Sequence, residues 1–245
     1  MGKTTTVANL GIALAKLGYQ VALIDLDPQG ALTVSFGFDP YTIKPSIYDV
    51  LVANEFPIDK ILHPIQPGVC IAPTNPELIA TEYRLLKESD RTFRLKNALA
   101  RSTQVLDYVV IDTPPSLGLL TVNALVCAQE LLIPVATDYL AMRGVRALME
   151  SVWFIRERIN PDLRLLGLVP TLYRSDSAHA NAVITELRKV FKQKVTRTLI
   201  PQDDAASAAP AARKSVIDYQ PEAPTALAYL QLAKEVDHVR RANTR

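Results

Sequence analysis

The chain is 245 residues long, carries 27 Lys and Arg against 25 Asp and Glu for a formal charge of +2, and is 49% hydrophobic. That suits one large α/β domain with a substantial core, and the charge is too small to imply nucleic acid by itself. No run approaches the roughly 18 apolar residues that span a bilayer, none reads as a signal peptide, and Cys70 and Cys127, far apart and without a CxxC, fit a reducing cytoplasm and argue against a structural zinc or an iron–sulfur site.

In chain order, Val7, Leu10, Leu14 and Leu17 repeat at the spacing of one helix face, which predicts a helix over 4–17 stopped by Gly18. An apolar run over 21–26 ends in acids and reads as a buried parallel strand. The loop 39–67 is rich in Pro and polar residues and holds a short helix over 47–53. A weaker strand is predicted at 69–72, then a helix over 76–100, and stronger strands at 108–113 and 131–136. Helices over 144–158 and 178–194 enclose a strand at 163–172, and a further strand follows at 195–200. Pro201, Pro210, Pro221 and Pro224 mark irregular structure before a closing helix over 225–241. Strands alternating with helices predict a single α/β domain, 1–245, with a doubly wound, mainly parallel sheet covered on both faces.

Three motifs carry chemistry. Gly2-Lys3-Thr4-Thr5 matches the second half of G-x-x-x-x-G-K-[ST], in which the lysine reaches the β- and γ-phosphates, the first hydroxyl binds Mg²⁺, and the helix N-terminus faces the anion. The following threonine could bond the α-phosphate. Alone, this tripeptide-plus-one could equally be a tail that starts a helix. The second motif is Asp25-Leu-Asp27-Pro28-Gln29-Gly30 at the end of an apolar strand. Ligands of parallel sheets bind beyond the carboxyl ends of strands, and alternation places Asp25 and Asp27 on one side of the strand, where both could approach a metal. The third motif is Asp107-Tyr-Val-Val-Ile-Asp112-Thr-Pro-Pro115, four apolar residues leading into a carboxylate suited to hold Mg²⁺.

In this order the motifs GKTTT, DLDPQG, YVVIDTPPSLGLLTVNAL and LLIPVATDYLAMRGV, with NPDLRLLGLVPTLY and the Ile200-Pro201 pair after them, resemble the ParA/Soj family of deviant Walker ATPases, related to MinD, over nearly the whole chain. The resemblance implies a P-loop fold and an ATPase that uses ATP and Mg²⁺. It implies an ATP-bound sandwich homodimer, nonspecific DNA binding, a ParB-like or other activating partner that stimulates hydrolysis, and a cytoplasmic, nucleoid-associated protein that partitions a chromosome, plasmid or other cargo. Carried over by motif, Lys3 is the phosphate lysine and Asp27 orients the attacking water. Thr4, Asp27 and Asp112 surround the metal, and Asp25 supports it. Gly2, Lys3, Thr4 and Thr5 cradle the nucleotide, and Thr171 and Pro201 take base-pocket positions. The family motif is KGG-x-GKTTT, with Met1 at x here, so the domain reads as N-terminally incomplete, without the preceding strand and the signature lysine. Poor folding or weak ATP binding is the expectation that follows. A nonhydrolysing relative acting as a scaffold, and a MinD-like membrane-associated ATPase, stay open as alternatives.

Basic residues form two kinds of cluster. Arg84, Lys87, Arg91, Arg94 and Arg101 are spaced to line one helical stripe. Lys189 and Lys192, with Arg188 and Lys194, crowd a helix end, and Arg213 and Lys214 follow. A solvated face is the ordinary reading of each cluster. The resemblance makes Lys189, Lys192, Arg213 and Lys214 the candidate contacts to a DNA backbone. Tyr229, Leu232, Val236 and Val239 share a face of the closing helix, which is expected to dock on the core rather than enter a membrane. His63, His179 and His238 are scattered without metal-ligand spacing, and Trp153 and Phe154 read as helix core.

Overall fold

The computed structural model describes residues 2–138 and 141–243. Met1 and the Tyr139-Leu140 part of the fourth motif lie outside the described residues. The order is α1 Lys3–Lys16, β1 Val21–Asp25, α2 Ala31–Ser35, α3 Ile47–Val52, β2 His63–Gln66, β3 Val69–Ala72, α4 Thr81–Arg84, α5 Arg94–Ala100, β4 Tyr108–Asp112, α6 Leu119–Cys127, β5 Glu130–Ala136, α7 Ala141–Arg158, β6 Arg164–Thr171, α8 Ala178–Phe191, α9 Asp204–Ala208, α10 Val216–Tyr219 and α11 Pro224–Asn243.

The expected α/β architecture is present. One sheet runs β2-β3-β1-β4, with β1 parallel to both β3 and β4 and β2 an antiparallel edge. A second pairs β5 and β6 in parallel. Among the described residues β4 pairs only with β1 and β5 only with β6. Alternation along β1 splits its side chains between two layers. Val21 and Leu23 join α1, α10 and α11 in one core, whereas Ile24 joins residues of α3, α5 and α6 in the other. Helix α1 also packs against Leu132 of β5 and Val169 of β6, so one helix spans both sheets. Its approach to β1 is close. A Cβ on Gly11 would stand 2.4 Å from a Leu23 methyl, so only glycine fits there without a shift.

Several expected elements differ. The helix over 76–100 is instead a 3₁₀ turn over 76–80, α4 and α5. Asn123 holds the break open: its Nδ2 donates to the Arg91 carbonyl, and its Oδ1 accepts from the Leu95 N–H. The basic stripe therefore does not form. Arg94 is buried and paired with Glu88 and Asp90. The strand over 195–200 is reduced to two bridges, Leu168 with Val195 and Tyr173 with Pro201. Glu235 takes the N–H groups of Arg197 and Thr198 that a ladder would use. Helix α11 docks as expected, with Tyr229, Leu232 and Val236 buried. Among the described residues no helix is long and apolar enough to cross a membrane. Trp153 and Phe154 are exposed rather than core, with Arg158 lying over the Phe154 ring.

Candidate functional site

The carboxyl ends of β1 and β4 lie side by side, with Asp25 and Asp112 in register. Both carboxylates are buried, because parallel strands covered on two faces bring their last residues out of water. Burial pushes the Asp112 carboxyl up to about 6. The Thr4 side chain and the Lys3 ammonium oppose the rise, and the charge of Asp27 adds to it. Three of the expected residues, from two other segments, therefore act on a fourth, Asp112. Asp112 Oδ1 accepts from the Thr113 N–H at 3.1 Å. Among the described residues its Oδ2 is buried with no hydrogen-bond partner.

An orphaned carboxylate oxygen in the interior is costly unless something pairs with it. The Thr4 side chain and the Asp27 charge act on the same carboxylate. This hard-oxygen set fits Mg²⁺, which is bound through one or two carboxylates and completes its shell with water and phosphate oxygens. Among the described residues no group of three His, Cys, Asp or Glu side chains could hold a metal by itself.

Helix α1 delivers the remaining groups. Gly2 caps it in a left-handed conformation, φ 100°, with no side-chain cap, so its first turn is suited to an anion. A Cβ on Gly2 would stand 3.3 Å from Thr171 Oγ1, so the glycine permits the close approach of β6 to the start of α1. The helix is pinned from behind. Asn9 donates to the Thr5 carbonyl and accepts from the Val216 N–H, and Thr6 shares a hydrogen bond with the buried Tyr229 hydroxyl.

The Asp-bearing loop is built differently from expectation. Strand β1 ends at Asp25, and Asp27 lies beyond it, half-buried, in a turn closed by the Gly30 N–H on its carbonyl at 2.9 Å. Strand alternation therefore does not set their relation. Asp27 Oδ1 accepts from the Gln29 N–H. Both Asp25 oxygens are engaged by protein donors, from Asp27 and from Thr33. Burial raises the Asp25 carboxyl to about 7 against the pull of the Thr33 bonds.

Thr171 is buried at the end of β6, and Pro201 lies on the neighbouring backbone, where Ile200 N donates to the Pro170 carbonyl. The two are thus brought together at one strand end. The basic candidates are not. Lys189 and Lys192 close α8, Lys189 near Glu186 at 3.8 Å. Arg213 sits at φ 57° against Gly37 and lines, with Pro28 and Gln29, an open depression of about 440 Å³ beside the Asp27 loop.

A family model described as an AAA domain matches residues 1–165. The chain is 39% identical to the sporulation initiation inhibitor protein Soj of Bacillus subtilis, over 96% of this chain and 93% of that protein. It is 35% identical to the chromosome partitioning protein ParA of Myxococcus xanthus, over 96% of this chain and 83% of that one. Among solved structures it is similar to cobyrinic acid a,c-diamide synthase from Mycobacterium smegmatis with bound ADP and magnesium, with a TM-score of 0.83, 35% identity, and coverage of 95% of this chain and 87% of that chain. The cell division ATPase MinD of Pyrococcus furiosus shares the fold at a TM-score of 0.77 and 22% identity, over 97% of this chain and 94% of that one.

Proposed function

Because the chain belongs to the ParA/Soj family of P-loop ATPases, we propose that it is an ATP-driven switch that dimerises around Mg·ATP, binds DNA without sequence preference, and partitions or positions a cargo until a ParB-like partner triggers hydrolysis. The observation that carries this reading is the buried Asp112 Oδ2, without a hydrogen-bond partner among the described residues, on a carboxylate that Thr4, Lys3 and Asp27 all act upon. A magnesium ion held at this site would supply charge stabilisation for the transferring phosphoryl group. Thr4, Asp112 and Asp27 are the residues that would hold it. Lys3 places a positive charge at the start of α1. Asp27, on a turn rather than in a strand, orients the attacking water. Thr171 and Pro201 are assigned to the nucleotide. Phosphoryl transfer of this kind is chiefly positioning and charge stabilisation, so the rigidity of these supports is part of the catalyst.

The solved relative with ADP and magnesium supports the nucleotide and cation, and the names of the Soj and ParA relatives support a partition role. The test is ATP turnover with Mg²⁺, alone and with duplex DNA and a ParB-like partner. Turnover that DNA and partner together raise at least tenfold is expected. ATP binding with no turnover under any of these conditions would instead mark a nonhydrolysing scaffold of the same fold.

A further inference from the structure

The loop that carries Asp27 leaves and returns to a single buried carboxylate. Asp25 Oδ1 accepts from the Asp27 N–H at 3.1 Å as the chain leaves β1. Asp25 Oδ2 accepts from the Thr33 N–H at 2.8 Å and from the Thr33 hydroxyl at 2.7 Å as the chain enters α2. The Thr33 hydroxyl has one hydrogen, which goes to Asp25, and its oxygen accepts from the Thr74 N–H at 3.0 Å. Thr74 lies just beyond β3, the neighbour of β1. Asp25, Thr33 and Thr74 are all fully buried. Between the two ends, Gly30 turns the chain at φ 67°, where a Cβ would stand 2.9 Å from Pro40 and 3.3 Å from the Thr74 methyl.

From this geometry we infer that Thr33 is a positioning residue: through its hydroxyl it ties the Asp27 loop to β1 and β3 at once, and so fixes where the Asp27 carboxylate stands. This inference rests on the reading of Asp27 as the residue that orients water. Thr33 sits in α2, and its hydroxyl is taken up by Asp25 and the Thr74 N–H, so it is not assigned to the nucleotide. Its loss should act on turnover and not on nucleotide binding. Removing the hydroxyl leaves the Thr74 N–H and one lone pair of Asp25 unpaired in the interior, and a loop tied at one end fewer places its carboxylate less well. A misplacement of about 1 Å at a reacting group costs on the order of 100-fold, and a partial loosening less.

The experiment compares Thr33→Val, which keeps the shape and removes the hydroxyl, with Thr33→Ser, which keeps the hydroxyl. Turnover and the Kd for Mg·ATP are measured beside amide hydrogen exchange over residues 26–34 of the nucleotide-free protein. Thr33→Val is expected to lower kcat about tenfold with Kd changed less than about twofold, and to speed exchange over 26–34. Thr33→Ser recovers most of both. In an Asp27→Asn background Thr33→Val adds nothing to the loss in kcat. Unchanged kcat and unchanged exchange in Thr33→Val overturn the inference, and so does a rise in Kd that matches the fall in kcat. If the wild type binds Mg·ATP without turnover, the hydrolytic reading fails, and the exchange data alone decide whether the tie exists. Should Thr33→Val not fold, residue-resolved exchange of the wild type reads the same bonds: slow exchange at the Thr33 and Thr74 amides supports the tie, and fast exchange there removes it.

Discussion

The two sheets of the molecule carry different kinds of specification. At the β1–β4 side, the acidic groups are held by close hydrogen bonds: Asp25 by Thr33, Asp112 by the adjacent Thr113 N–H, and the Asp27 turn by Gly30. At the β5–β6 side, the expected neighbouring strand over 195–200 has become two isolated bridges, held by threonine hydroxyls and by Glu235. Helix α1 spans both, with its N-terminus between Asp112 and Thr171. The difference teaches where precision is needed. Charge must be placed closely around a phosphoryl group, whereas shape and stacking tolerate a looser frame.

The comparison breaks most visibly if the β1–β4 side is not the reacting side. Lys3→Ala and Asp27→Ala are each expected to lower kcat by about 100-fold or more, while Pro201→Ala changes kcat little and raises the Kd for ATP. Steady-state turnover with separate nucleotide-binding titrations checks the split, and the reverse pattern would place the chemistry elsewhere. Next in size is the seam that α1 makes with β1. Gly11→Val should cost about 2 kcal/mol of stability by pushing a branched side chain into Leu23. A denaturant midpoint equal to that of wild type would mean the helix sits farther from the sheet.

Charge reversal at Arg213 and Lys214, beside the Asp27 loop, and at Lys189 and Lys192, at the end of α8, sharpens the comparison further. Each pair that touches DNA should lose about tenfold in affinity at low salt and flatten the dependence of log affinity on log salt, with nucleotide Kd unchanged. A pair whose salt titration matches wild type is not in the interface. A further test concerns pH. Asp25 and Asp112 are raised to about 7 and about 6 from an ordinary value of 3.8. The folded protein therefore holds more protons than the unfolded chain between these limits. The stability this provides is complete below about pH 4 and is lost as pH rises through 6 and 7. Nucleotide-free denaturation curves at pH 5 and pH 8 should show it, and Asp25→Asn should flatten the slope. A wild-type midpoint that climbs over that range would contradict the raised values.

Much of this was legible because it depends on short-range patterns. The apolar runs ending in Asp25 and Asp112 announce parallel strands with a buried carboxylate at the end, and GKTT announces a helix aimed at an anion. The side chains that hold these motifs in place were not legible, since their partners are remote in sequence. Thr33 and Thr74 are 41 residues apart, and Asn123 breaks a helix 28 residues upstream. Glu235 replaces a strand pairing from 37 residues away. Propensity is overruled at each of these places by one buried or half-buried polar group that has to be satisfied. The spacing of Asp25 and Asp27 misled for a related reason: an Asx-type turn closed by Gly30 ended the alternation after Asp25.

The central claim is the proposal that Asp112 and Thr4 would hold a magnesium ion together with a nucleotide. It is tested most directly by titrating a fluorescent ATP analogue into the wild type and Asp112→Asn, each with Mg²⁺ and with EDTA. The account predicts that Mg²⁺ tightens binding by the wild type at least tenfold and that Asp112→Asn binds equally in both conditions. Binding by the wild type that ignores Mg²⁺, or a full magnesium effect in Asp112→Asn, would contradict it.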